Sequence, residues 1–180
     1  METGTGPKKP PERRTRHLVL RAPEPADVDA LFAIQGDPVA MRFTYCAPSR
    51  AATAARLEAY AARFSADGFA PWTALLAEDE RVVGWGGLNT DPKAPGWGVE
   101  VAYFLSPSVW GRGFATELVQ AALAHAFRDL GLSRVGAFSR PDNVASTRVL
   151  AKAGFARIRF VPSLERDEFE ITAQRWQGAS

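Results

Sequence analysis

A chain of 180 residues, 46% apolar and 23% charged, has length enough for one domain with a sizeable core and the composition of a folded globular protein. It holds no run of 18 apolar residues, which excludes a helix that spans a membrane, and its single cysteine, Cys46, excludes an internal disulfide. Net charge is +2, but residues 1–16 carry Lys8, Lys9, Arg13, Arg14 and Arg16 against Glu2 and Glu12, so the remainder is slightly acidic.

Residues 1–15, rich in Pro, Gly and charge, are expected to be a disordered basic tail, 16–176 a single domain and 177–180 a short C-terminal tail. The first residues lack the apolar stretch of a signal peptide, so a cytoplasmic location is expected. A basic tail can touch RNA, but a solvated leader is the plainer reading, and neither nucleic acid nor membrane is expected as a partner. Cys46 reads as a bystander, since neither histidine lies in a motif that could serve it.

In chain order, 17–22 (HLVLRA) alternates as a strand and 25–35 repeats its apolar residues at helical spacing. The linker 36–49, GDPVAMRFTYCAPS, is unusually apolar for a solvated loop. Ser49 caps a helix over 50–65 with Ala54, Leu57, Ala61 and Phe64 as its buried stripe. Strands over 72–77 and 82–88 flank the turn Glu78-Asp79-Glu80, and after the loop 89–98 a third strand covers 99–105. Residues 114–130 form the strongest helix, its apolar stripe running from Ala115 to Phe127 and ending at Gly131. A strand over 134–139, a short helix over 144–153 capped by Asp142 or Asn143, and strands over 155–161 and 168–173 complete the chain. Three strands in succession imply an antiparallel half, and the later β-α-β unit implies a parallel pair.

The segment 107–117, PSVWGRGFATE, lies between a strand and the strongest helix. Gly111 and Gly113 carry no Cβ, so backbone amides there can converge on an anion. The helix N-terminus adds unpaired N–H groups and its dipole, and Arg112 adds a positive charge. Glu117, one turn inside the helix, is expected to point away. The phosphate loop ending in GKS or GKT is absent, as is the dinucleotide pattern GxGxxG. A second segment, 142–155, reads DNVASTRVLAKAGF.

In these two segments the chain resembles the GNAT superfamily of acyl-CoA-dependent N-acyltransferases. The family's loop, Q/R-x-x-G-x-G/A, stands here as Trp110-Gly111-Arg112-Gly113-Phe114-Ala115, with Trp110 in place of the usual Gln or Arg. Asn143, Ser146, Leu150, Gly154 and Phe155 fill the second pattern. The Trp and the following Thr116-Glu117 are similar to the branch of ribosomal-protein N-terminal (alanine/serine) acetyltransferases. The resemblance covers about residues 16–176. It implies an α/β (α+β) fold whose mixed, mostly antiparallel central sheet has about seven strands, with helices on both faces. It further implies acetyl-CoA as co-substrate, with no metal, and an amine as acceptor.

By the resemblance, the amides of Gly111, Arg112, Gly113, Phe114, Ala115 and Thr116 grip the pyrophosphate, while Phe104 and Leu105 lie along the pantetheine arm. Asn143 and Ser146 complete the cofactor side. Leu150 stands where many relatives place a tyrosine for the thiolate, which leaves Ser146 as the substitute donor. Glu100, a charge inside an apolar strand, is costly to bury unless used and is the candidate base, directly or through water. Its plainer reading is an outward-facing strand residue. An oxyanion donor is expected from a backbone N–H near Tyr103 or Phe104. Met41, Phe43, Tyr45, Trp85 and Trp97 are candidate walls of the acceptor groove. A protein N-terminal α-amine is the first choice of acceptor. A small amine (amino acid, polyamine or antibiotic) and a non-catalytic acyl-CoA-binding module are the alternatives. Both a monomer and a homodimer fit the sequence.

Overall fold

The computed structural model describes residues 12–91 and 95–178. The strands are β1 (Arg13–Arg14), β2 (Leu18–Arg21), β3 (Trp72–Leu76), β4 (Val82–Asn89), β5 (Glu100–Leu105), β6 (Arg134–Ser139), β7 (Ala156–Val161) and β8 (Arg166–Thr172). The helices are α1 (Val28–Gln35), α2 (Arg50–Asp67), α3 (Phe114–Ala124), α4 (Val144–Lys152) and α5 (Ala173–Gln177). Among the described residues the strands form one sheet in the order β1-β2-β3-β4-β5-β6-β8-β7. Only β5 and β6 pair in parallel; every other neighbouring pair is antiparallel.

The mixed, mostly antiparallel sheet with helices on both faces agrees with the sequence pattern. Alternation along β5 shows how both faces are covered. Val101 and Leu105 join the large core cluster with Leu118, Val119, Ala122 and Leu123 of α3. Ala102 and Phe104 pack instead against Val28 and Leu31 of α1, Leu57 of α2 and Trp85. Gly68, in the left-handed conformation at φ 77°, stops α2, and Ser49 caps its start by accepting from the Ala52 N–H at 3.2 Å.

Three elements differ from the sequence reading. The sheet has eight strands rather than about seven, because Arg13–Arg14 pairs with β2 inside the segment expected to be tail. Side chains far along the chain hold it there. The Arg13 guanidinium donates to His125 Nδ1 at 2.8 Å, pairs with Asp129 and lies over the Trp72 ring. Residues 1–11 of the expected tail lie outside the described residues. The long helix over 114–130 is α-helical to Ala124 and then widens to π geometry over His125–Asp129, the Leu130 N–H donating to the His125 carbonyl. Ala173–Gln177, where the sequence reading ends the last strand at 173 and begins the tail at 177, is a short helix whose cap is the Thr172 hydroxyl oxygen.

Glu117 does point away from the glycine loop. It accepts from the Thr15 hydroxyl, from the His17 N–H at 2.7 Å and from His17 Nδ1 at 2.9 Å, tying the first turn of α3 to the β1–β2 connection. A buried carboxylate, Asp27, fixes the other face. It accepts two hydrogen bonds from Arg21 at 2.7 and 2.8 Å, one from the Glu24 N–H at 2.8 Å and one from the Thr73 hydroxyl at 2.9 Å. Burial alone would raise its pKa, but the Arg21 guanidinium, the Glu24 amide and the Thr73 hydroxyl hold it below the usual aspartate range.

Removing this carboxylate leaves Arg21 with only Glu24 at 3.8 Å and the Ala22 carbonyl and leaves the Thr73 hydroxyl without its acceptor, so Asp27→Ala is expected to cost about 3 kcal/mol in urea unfolding. Since the native pKa is depressed, the advantage of the wild type should be complete above the ordinary aspartate range. It should fade as pH falls through the native value.

Candidate active site

The site begins where two strands part. β5 and β6 share one register pair, Glu100 with Gly136, beside which the Gly136 N–H donates to the Val99 carbonyl at 2.9 Å. Beyond it, residues 101–105 and 137–139 line a cavity of about 460 Å³. Since the Val99 carbonyl faces β6, period-two alternation turns the backbone amides of Val101, Tyr103 and Leu105 to that edge. Ala102 and Phe104 turn theirs to β4, where they pair with Gly87 and Trp85. Of the two amides expected to serve an oxyanion, Tyr103's therefore faces the cleft and Phe104's does not.

The glycine loop closes one end. Gly111 and Gly113 adopt φ of 76° and 83°, a region that favours glycine, and a Cβ at either would meet nothing within 4 Å. Gly113 is also the N-cap of α3, so no side chain caps the helix and its first-turn N–H groups remain available. Trp110 fastens the loop to the cleft: its indole N–H donates to the Leu105 carbonyl at 2.8 Å. Phe114, Ala115 and Thr116 line the cavity with Phe104 and Leu105. The Arg112 side chain is exposed, outside the lining, with its guanidinium over the Phe114 ring.

The second motif supplies the facing wall. Asn143 caps α4, its Oδ1 accepting from the Ser146 N–H at 3.1 Å, and both residues line the cavity. The Ser146 hydroxyl lies 2.9 Å from the Tyr103 hydroxyl, and burial pushes Tyr103 up to about 12. Sequence reading missed this contact; its one visible signal is that Tyr103 shares the face of Val101 and Leu105, toward α3.

Glu100 also lines the cavity. Alternation puts its side chain on the opposite sheet face from Tyr103. Burial raises its pKa, Asp91 adds to the rise, and both the Asn89 amide, donating at 3.2 Å, and the charge of Arg166 oppose it. Glu100 is thus half-buried, hydrogen-bonded to Asn89 and on the lining of the cavity.

Of the five expected walls, only Phe43 lines the cavity. Trp85 stacks behind Phe104 at 5.1 Å, and Trp97 stands edge-on to Phe138 at 5.2 Å, so each supports a wall residue. Met41 is buried, 2% exposed, whereas Tyr45 is 58% exposed.

Residues 17–156 match the family model of the acetyltransferase (GNAT) domain. The chain belongs to the GNAT acetyltransferases. It is 30% identical over 153 residues to the N-acetyltransferase p20 of Bacillus licheniformis, itself uncharacterised, covering 79% of this chain and 81% of that one. A GNAT-family acetyltransferase from Bacillus anthracis shares the fold with a TM-score of 0.74 at 21% identity, over 91% of this chain and 99% of that one. The ribosomal-protein-S5-alanine acetyltransferase of Vibrio fischeri does so with a TM-score of 0.70 at 16% identity, over 92% and 98%.

GNAT acetyltransferases use acetyl-CoA and an acceptor amine, and the loop of this one fits the donor. Two left-handed glycines with open space above them and an uncapped helix N-terminus are what a pyrophosphate needs. Gly113→Ala should therefore weaken acetyl-CoA binding in calorimetry by at least tenfold. In thermal unfolding it should cost only about 1–2 kcal/mol of backbone strain, since the new methyl meets no neighbour.

Proposed function

We propose that this GNAT acetyltransferase carries an acetyl group from acetyl-CoA to the α-amine of a protein N-terminus, with Glu100 as base and Ser146 assisting the departing thiolate. The observation that carries the reading is the pair of polar groups on one cleft, Glu100 from one sheet face and the Ser146 hydroxyl from the other. An α-amine with an ordinary pKa near 7.7–8.0 needs only modest help to lose its proton. A carboxylate in a partly dry pocket supplies it, directly or through one water.

When bound, acetyl-CoA supplies an activated thioester. The amides of residues 111–116 would hold the pyrophosphate at the start of α3, with Arg112 adding positive charge beside the loop. Phe104 and Leu105 line the path of the pantetheine arm, and Asn143 holds α4 against it. The Tyr103 N–H, the next cleft-facing amide after the single β5–β6 pair, donates to the oxyanion that develops on the acetyl carbonyl. Ser146 offers its hydroxyl to the sulfur on the other side.

The acceptor reading draws support from the linker. Ala40, Arg42 and Phe43 border the cavity, in the segment DPVAMRF that resembles the ribosomal-protein branch, and Thr44 just after it does so too. The Vibrio fischeri structure named for a ribosomal-protein alanine substrate covers nearly the whole fold. The test is a thiol-release assay with peptides bearing free N-termini, set beside amino acids, polyamines and aminoglycosides. Mass spectrometry of the product should place the acetyl group on the peptide α-nitrogen. Turnover of small amines alone overturns the acceptor, and tight CoA binding without release from any amine overturns catalysis.

Glu100→Gln should lower kcat about a hundredfold or more while acetyl-CoA affinity stays unchanged. The acid limb of the wild-type pH profile should lie above the ordinary glutamate range, because burial raises this group. The same shift sets a stability effect. With its native pKa raised, Glu100 favours folding most below the ordinary glutamate value and loses that contribution as pH rises through the native one. Glu100→Gln should therefore raise Tm at neutral pH, a gain that shrinks in acid.

A further inference from the structure

Four groups fix the Ser146 region, and only one bears on where its hydroxyl proton points. The Asn143 cap pins the Ser146 backbone. Leu150, one turn further along α4, is 1% exposed and offers no donor. Thr147 turns its own hydroxyl back to the Asn143 carbonyl at 3.3 Å. Among the described residues Tyr103 alone reaches the Ser146 hydroxyl, at 2.9 Å, and the Ser146 carbonyl is a longer second acceptor for the Tyr103 hydroxyl at 3.4 Å. The tyrosine is well placed to hold this geometry. Its ring packs on the main core, and its cross-strand partner is Gly86. A Cβ at Gly86 would meet the Tyr103 Cβ at 2.7 Å and the Leu118 side chain at 2.9 Å, so the missing side chain is what lets Tyr103 sit between sheet and α3.

We infer that Tyr103 is the positioning residue for Ser146, donating its phenol proton in a hydrogen bond to Oγ so that the serine O–H is left to face the sulfur of the acyl donor. This rests on the proposed role of Ser146. A phenol is a better donor than an alcohol, and one held near 12 keeps its proton through the working range. The inferred direction follows that order of acidity, and the paired hydroxyls polarise one another. In the transfer the C–S bond breaks with its electron pair staying on sulfur, and a C–N bond replaces it. Of the two protons lost by the ammonium, one reaches solvent by way of Glu100 and the other ends on sulfur. Tyr103 and Ser146 stabilise the charge on sulfur and finish with the protons they began with.

The test is a double-mutant cycle on the full chain with acetyl-CoA and the best acceptor amine. Tyr103→Phe should lower kcat about tenfold, the worth of one hydrogen bond to a charge, with KM for acetyl-CoA unchanged. In a Ser146→Ala background the same change should cost less than twofold. Equal losses in both backgrounds overturn the inference. A binding readout is independent of turnover: the thiol of bound CoA, titrated by thiolate absorbance, should have a higher apparent pKa in Tyr103→Phe than in wild type. An unchanged value also overturns it. Should the phenylalanine variant misfold, fluorotyrosine at 103 keeps the ring and acidifies the phenol. The basic limb of kcat must then move to lower pH, and a fixed limb overturns the proposal. Full turnover by Ser146→Ala alone would instead refute the parent reading of the serine.

Discussion

Everything at the site depends on β5 and β6 pairing once and then separating. A parallel pair that continued would spend the amides of β5 on β6 and leave no room between the strands. Because the ladder stops at Glu100 and Gly136, the next cleft-facing amide belongs to Tyr103, and the lining residues of both strands become walls. Elsewhere β6 pairs over its whole length with β8, and β5 over its whole length with β4. The cleft is thus an interruption between two well-paired halves, which is how a sheet can open without losing either side.

The opening also has to be held at a fixed width. Two contacts from the α3 side do this. The Trp110 indole takes the Leu105 carbonyl at the cleft edge, and Glu117 anchors the first turn of α3 to Thr15 and His17. The loop between them is therefore tethered at both ends. Its glycines choose left-handed geometry without disturbing the helix that follows. Trp110 thus has a structural reason to stand where the family pattern has Gln or Arg: its N–H satisfies a carbonyl that the parted strands leave unpaired.

Local chemistry wrote much of this plainly in the sequence. The caps at Ser49 and Asn143, the glycine stops and the period of α3 each act within a few residues, so each was legible. So were Glu100, Ser146 and the loop as neighbours, because the resemblance carries their spacing. What sequence reading missed depends on partners far along the chain. The strand Arg13–Arg14 forms through His125, Asp129 and Trp72; the π turn places that same His125. Trp85 and Trp97 read as walls because they are aromatic and near the right segments. Whether a ring faces the groove or backs the residue that does is decided by packing across the sheet.

The electrostatics of Glu100 come from three places: Asn89 on β4, Asp91 just after it, and Arg166 on β8. Burial and Asp91 favour the protonated acid, whereas the amide and the guanidinium favour the carboxylate. Under the proposed reading, an arriving ammonium joins the second group. Its charge near Glu100 lowers the carboxyl pKa, so the acceptor favours the carboxylate that will take its proton. Once the proton has moved, the charge that favoured ionisation has gone, and burial and Asp91 again act in favour of the acid. Half-burial thus makes Glu100 a stronger base than a free carboxylate, while the Asn89 amide and Arg166 keep the carboxylate form supported.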